Sequence, residues 1–490
     1  MVMRVGGLAT GMDIDQIVNR LMEAERMPLN RMEQDRTMLT WKQDAFRELN
    51  RSLLELDNMI LDMKLSHTYK TKSVQSSQES AVSATASPQT ADGVYHIEVK
   101  QLATTAMNIG TKQVKLDDTV DVEGPIVFST FDESGQKVDH KINVDDNDTI
   151  GDILVKITNA DNNVRAFYDG DGESGRVILE TTRTGNYNTT GEHGNAEIWF
   201  EDTFFTDVLG LNMDEEIGGE NAKFTYNYGL ELESKTNSYE INNLNLQFND
   251  VTNGHASISV TNDTDHTFDK IMAFVNQYNE VIDKLNESQQ ERRYRDFPPL
   301  TSEQKKEMTE DEIEKWEERA KSGILRGESS ITDGMFQMRR SWYAGVETGG
   351  EFTSLTQIGI TTSPNYLDGG KLLVNEEELK RALREDPEDV QKLLSNSAED
   401  NSKGLIHRLE EAVELTIDKI DQHAGKGTYT LDNYVLGKRM KELDNRISAF
   451  EDRLVRIETR YWNQFTQMEK AIQRLNDQSA QLFSQFGGGM

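Results

Sequence analysis

Residues 436–475 read LGKRMKELDNRISAFEDRLVRIETRYWNQFTQMEKAIQRL, and their spacing decides the architecture. Apolar side chains fall at Leu436, Met440, Leu443, Ile447, Phe450, Leu454, Ile457, Tyr461, Phe465, Met468, Ile472 and Leu475, the alternating three-four step of a coiled-coil seam. The extra four-residue step from Tyr461 to Phe465 is a stutter that locally unwinds a supercoil. At about 1.5 Å per residue the whole helix spans about 75 Å. So narrow a seam cannot hold a lone helix in water, and it requires a partner.

A matching seam lies near the other end of the chain, at Met32, Leu39, Phe46, Leu49, Leu53, Leu56, Ile60 and Met63, with Arg36 and Gln43 as polar gaps. It is preceded by GGLATGMDIDQIVNRLMEAERMPLNRMEQ, residues 6–34, a glycine-threonine lead-in to an apolar-striped helix that starts at Asp13 and is interrupted at Met27-Pro28. The two terminal seams are expected to pair with each other or with neighbouring subunits. The segment before Pro28 is short enough to be marginal in water, so it is expected to order only on assembly.

Between the seams the period changes. Residues 67–93, HTYKTKSVQSSQESAVSATASPQTADG, are rich in Ser, Thr, Gln and Ala without helical periodicity and read as an extended or linking segment open to proteolysis. From about Val94 to Val260 the chain alternates in twos, as at Tyr95, Ile97 and Val99 or Leu244, Leu246 and Phe248, so it is mainly strand. One helix is expected in TIGDILVKITNA, where Ile150, Ile153, Leu154 and Ile157 share a face. Helical spacing returns at Phe268, Ile271, Val275, Tyr278, Ile282 and Leu285, with Thr264 or Thr267 as the cap. Thr301 with Gln304 and Thr309 with Glu312 form capping boxes before short charged helices. A further seam, Leu405, Leu409, Val413, Thr416 and Ile420, stops at GKG. The fold class is therefore α+β: helical seams at both termini and a β-rich tip inserted between them.

Composition narrows the function. Against 53 Lys and Arg stand 86 Asp and Glu, a net charge of -33, which repels nucleic acid. No apolar run approaches the length of a membrane span, and no Sec-type signal is legible, so no membrane partner is expected. The chain has no cysteine, which removes disulfides and thiolate chemistry. That suits an ordinary cytosolic protein or one exported unfolded.

Candidate chemistry is sparse. Gly6, Gly7 and Gly11 miss the dinucleotide-loop spacing, and the eight histidines form no i, i+4 pair. DGDGESGRVILE places Asp169, Asp171, Glu173 and Glu180 at positions of a calcium loop, yet Ser174 replaces its glycine and RVILE reads as strand, so an acidic hairpin turn is preferred. No catalytic residue, metal or cofactor is assigned, and the chain is not read as an enzyme.

Several blocks, in order along nearly the whole chain, carry a resemblance. Residues 7–50, GLATGMDIDQIVNRLMEAERMPLNRMEQDRTMLTWKQDAFRELN, resemble the N-terminal signature of the flagellar filament-capping family (FliD, or flagellar hook-associated protein 2). TIGDILVKITNADNNVRAFYDGDGESGRVILETTRTG, residues 149–185, is similar to the flagellin-type IN motif. DKIMAFVNQYNEVIDKLNES (269–288), SLTQIGITTSPNY (354–366) and RYWNQFTQMEKAIQRLNDQSAQLFSQF (460–486) resemble the family's C-terminal region.

The resemblance implies a secreted protein, exported by the flagellar type III route with an export chaperone, that forms a homo-oligomeric ring, commonly a pentamer, on the distal filament tip. There it would hold flagellin while it folds and inserts, next to a hook–filament junction protein in the same organelle. Leu8, Met12, Ile14, Ile17, Leu21 and Met22, with Tyr461, Phe465, Met468 and Ile472, would be the leg contacts at the assembly interface. Their chemistry would be reversible apolar burial, about 1.5–3 kcal/mol per large side chain. The layout expected is a terminal leg (1–40 and 446–490), a helical stalk (41–74 and 264–445), a β-rich head (75–111 and 205–263) and a second β-rich head with the IN-like motif (112–204). Two alternatives stay open: an adhesin that binds host mucin or glycan through the tip, and a hook–filament junction protein.

Overall fold

The computed structural model describes residues 13–487 except 123 and 172–173, so Leu8, Met12 and the first glycines lie outside the described residues. Helix makes up 49% and strand 20%, in separate blocks along the chain, which is the α+β class expected. The chain forms two compact units, residues 1–69 with 267–490, and residues 70–266.

The first unit is helical. α1 (Ile14–Lys64) is one helix of 51 residues capped by Asp13, whose side chain accepts from the Gln16 N–H. It runs through Pro28, so the interruption expected there does not occur. Pro28 removes one helical hydrogen bond, but Ala24 and Pro28 both lie on the exposed side, where the freed carbonyl of Ala24 meets water, while Met22 and Leu29 are buried on either side of it. Packing on one face outweighs a break on the other.

α2 (Ile150–Asn159) belongs to the second unit. α3 (Thr264–Gln290) is capped by Asp263, which accepts from the His266 N–H at 2.9 Å, in place of the threonines expected; Thr267 is buried and donates instead to the Thr68 carbonyl. α4 (Ser302–Lys306) and α5 (Glu310–Lys321) each begin with the reciprocal capping box read from the sequence. α6 (Ser329–Ser341), α7 (Glu376–Glu385), α8 (Pro387–Ser395) and α9 (Leu405–Ala424) follow, and α10 (Val435–Gly487) closes the chain. α9 stops at Gly425, whose φ of +71 and tight approach to the Tyr434 ring exclude a side chain.

One core joins Phe46, Leu53, Leu56 and Ile60 of α1 to Ile271, Tyr278 and Ile282 of α3, Leu409 and Val413 of α9, and Met440 of α10. The two polar gaps of the N-terminal seam have partners here. Gln43 is buried and donates to the last carbonyl of α9, at Ala424, and to the Tyr434 hydroxyl, both at 2.8 Å. Arg36 pairs with Asp444 at 2.7 Å. Both polar gaps of the seam are thus satisfied rather than stranded.

The second unit has two apolar clusters. In one, a five-stranded sheet (Lys72–Ser76, Ala256–Asn262, Gly93–Gln101, Ala222–Tyr226, Leu230–Ser234) faces a three-stranded one (Ser238–Ile241, Leu244–Phe248, Val82–Ala86) over Ile97, Val99, Phe224, Leu246, Phe248 and Ile258. The segment read as extended or linking therefore supplies two strands: Lys72–Ser76 pairs with Ala256–Asn262, and Val82–Ala86 with Leu244–Phe248. Its Ser, Thr and Ala carry little apolar signal, and its partners lie far along the chain.

The other cluster buries the predicted face of α2, Ile150, Ile153, Leu154 and Ile157, under sheets that include Val164–Gly170 and Gly175–Thr184. Those two strands form the hairpin read at DGDGESG, with Gly170 paired to Gly175. Glu180 is engaged by Arg165 at 2.7 Å and Thr105 at 2.8 Å, and Asp169 by Arg176 at 3.1 Å. Two of the calcium-frame carboxylates are thus tied to cations along the hairpin rather than converged.

Candidate assembly interface

Past the main core, the first turns of α1 lie antiparallel to the middle of α10 and form a separate apolar cluster. Its buried members are Ile14, Val18, Met22 and Leu29 from α1 and Leu454 and Ile457 from α10, flanked by Met32, Ile447, Phe450, Tyr461, Trp462 and Phe465. The steps from Ile14 to Val18 to Met22 put these residues on one helix face, each contributing about 1.5–3 kcal/mol when fully covered. Polar ties fix the register. Tyr461 donates to Glu25 at 3.0 Å, and the Arg36–Asp444 pair holds the near end.

Shallow clefts flank the pair. One of 370 Å³ is lined by Met22, Arg26, Leu29 and Leu454 together with Thr301–Glu303 at the start of α4, where Arg26 approaches Glu303 at 3.9 Å. Another of 740 Å³ runs beside Met27, Pro28, Met32, Phe450 and Arg453.

The structure sorts the residues named from sequence. Ile14 and Met22 are buried within the chain's own helix pair, Ile17 is half-buried, and Leu21 is exposed. Tyr461 and Phe465 pack at the edge of the same seam, and Met468 and Ile472 are half-buried beyond it. The segment from Ile14 is therefore helical and covered in the single chain, which overturns the expectation that it orders only on assembly. Its cover comes from α10, as the pairing of the terminal seams requires.

Sequence reading missed Val18, Leu29, Leu454 and Ile457 as contact residues, although all four lie on the seam. The signal was present: Ile14, Val18 and Met22 are four apart, whereas Ile17 and Leu21 sit on the flank of that stripe.

The register brings Asp13 level with the stretch of α10 that follows Ile472, and the described part of α10 continues to Gly487. On that stretch Leu475 is 63% and Leu482 54% exposed. Large apolar side chains spaced along a helix end invite a partner.

A family profile described as "Flagellar hook-associated protein 2 C-terminus" matches residues 219–477, and one described as "Flagellar hook-associated protein 2 N-terminus" matches residues 10–106. The chain is 33% identical over 529 residues to the flagellar hook-associated protein 2 of Halalkalibacterium halodurans, covering 98% of this chain and 99% of that one. It is 24% identical over 616 residues to that of Thermotoga maritima, covering 97% and 95%. Among solved structures, the D1-D2-D3 domains of the flagellar cap protein FliD from Escherichia coli share the fold, with a TM-score of 0.56, 20% identity and coverage of 78% of this chain and 96% of that one.

Proposed function

The chain belongs to the flagellar hook-associated protein 2 family, and from that premise we propose that it is a structural cap on the distal end of the flagellar filament. It is exported, forms a ring of identical copies, and holds arriving flagellin while each subunit folds and inserts. The work is done by binding, with no bond made or broken. A ring whose symmetry differs from the lattice beneath leaves one place open at a time, and the ring steps on once that place is filled.

The observation that carries this reading is the α1–α10 pair with its exposed C-terminal extension. Ile14, Val18 and Met22 stiffen the base of a leg, and Leu475 and Leu482 remain available on α10 to meet flagellin. Contacts that must form and break repeatedly suit exposed, separately weak apolar residues better than one deep interface. The family match runs the length of the chain and does not favour the adhesin or junction alternatives.

The test is the double change Leu475→Asp and Leu482→Asp in a strain that depends on this chain. Both residues are exposed, so the thermal midpoint should stay within about 1 °C, as for other surface substitutions. Swimming should be lost, with unpolymerised flagellin in the medium. Normal filaments on the double variant would remove α10's end from the capping contact.

A further inference from the structure

Two surface patches on the helical unit are unlike in charge and alike in exposing large apolar side chains. The outer face of α6 and the turn that follows it present Phe336 (63% exposed), Arg340 and Tyr343 (59%), spaced four and three apart. Beside them Tyr366 is 80% exposed, and the Arg339 guanidinium lies 5.7 Å from the Tyr343 ring and 5.7 Å from the Tyr366 ring. Arg339 also donates to the Tyr343 hydroxyl, which meets Thr362 at 2.9 Å. The aromatic rings are thus held in place, and tyrosine and arginine are residue types that dominate protein interfaces. Arg340 makes no ion pair among the described residues.

The second patch follows the groove between α1 and α9. Leu54 and Leu61 are exposed on α1. Between them Asp57, Glu410 and Glu414 bring carboxylate oxygens within 4.8 Å of one another. Lys64 is the near cation and is already engaged by both oxygens of Glu410, at 2.7 and 2.8 Å. Burial, and then the neighbouring carboxylates, hold Asp57 and Glu414 above the usual carboxylate range. One further guanidinium would relieve that repulsion.

The patches lie on different sides of α9. α9 meets α6 through Thr416 against Gly334 and Lys419 to Asp333, and meets α1 through Glu410 to Lys64 and Asp421 to Asn50. At about 100° per residue these two sets fall on opposite sides of the helix. A basic aromatic surface and an acidic apolar one on different faces of one chain suit a head-to-tail contact, the kind that closes into a ring, rather than a two-fold one.

We propose that copies of this chain meet head to tail through these surfaces, with Phe336, Arg340 and Tyr343 of one copy seated over Leu54, Leu61 and Glu414 of the next. The occupant is a second copy because the chain, at net charge -33, offers the Arg340 patch an acidic apolar counterpart of its own. This rests on the reading of the chain as a ring-forming cap.

The test is a charge exchange in the full-length chain, read by sedimentation velocity and by electron microscopy of rings. Arg340→Glu and Glu414→Arg should each weaken assembly at least about tenfold, since each places like charges in contact. The double exchange should restore it; the midpoint of Arg340→Glu should hardly move because that residue is exposed, whereas Glu414→Arg should raise it slightly by relieving the repulsion with Asp57 and Glu410. Rings that persist in both single variants overturn this surface and leave the ring reading intact. Rings lost in the single variants and not regained in the double overturn the pairing. Rings unchanged but flagellin insertion lost assign the patch to flagellin instead. A wild-type chain that forms no ring at any concentration overturns the ring reading and this surface with it.

Discussion

At the scale of single residues, two positions test how tightly the structure is specified. Gly334 lies where α6 crosses α9, and a Cβ there would meet Thr416 Cγ2 and Oγ1 at 2.5 Å. Gly334→Ala should therefore cost about 1–3 kcal/mol, seen as a thermal midpoint lower by several degrees. Thr416→Ala in the Gly334→Ala background should recover part of that loss, because it removes the colliding atoms. Glu216 tests the other unit. Its carboxylate accepts from the backbone N–H of Glu197 and of Ile198, at 2.5 and 3.1 Å, while Glu197 accepts from Tyr187 and Asn188. Burial, opposed by these hydrogen bonds and aided by the charge on Glu197, pushes Glu216 up to about 7 from 4.5. A group raised on folding contributes stability that is complete below its unfolded value and is lost as pH rises through the folded one. The thermal midpoint should accordingly fall between about pH 5 and pH 8, and Glu216→Gln should flatten that slope. Neither residue was legible beforehand. A glycine in a helix and a glutamate in a loop look ordinary until the groups beside them are known.

At the scale of elements, the terminal helix pair makes the sharpest claim. Val18 is 1% exposed between Ile14 and Met22. Val18→Asp buries a carboxylate without a partner, at a cost of several kcal/mol, which exceeds what this small cluster gains at one position. Hydrogen exchange across Ile14–Leu29 should rise by orders of magnitude while Phe268–Leu285 stays protected, because the two lie in separate apolar clusters. Equal loss of protection in both would show that the pair is an integral part of the main core. The long seams, the capping boxes and α2 could be read from spacing because each is a local pattern: one helix face, or one side chain and the N–H three residues on. The helix through Pro28 and the strands Lys72–Ser76 and Val82–Ala86 could not. In these the local signal was overridden by partners distant in sequence, Leu454 for the first and the strands Ala256–Asn262 and Leu244–Phe248 for the others.

At the scale of the whole molecule, the chain enters the β-rich unit once and leaves it once, at residues 70 and 266, and that unit holds its own apolar clusters. Residues 70–266 expressed alone should fold, with strand circular dichroism and a cooperative thermal transition. Absence of a cooperative transition would mean that the unit depends on the helical one. What the sequence determined by itself was the order of helix, strand and helix, the need of each terminal seam for a partner, and the family. These follow from periodicity, which fixes which face of an element is apolar, and from motifs that keep their order along the chain. What only the tertiary structure decided was which partner each face took: that Ile14, Val18 and Met22 are covered by the chain's own α10, that Gln43 and Arg36 fill polar gaps by meeting Tyr434 and Asp444, and that a basic aromatic surface and an acidic one lie on different faces. Periodicity specifies a surface that must be buried, but the choice of what buries it depends on contacts between residues hundreds of positions apart, and those are set only when the chain closes on itself.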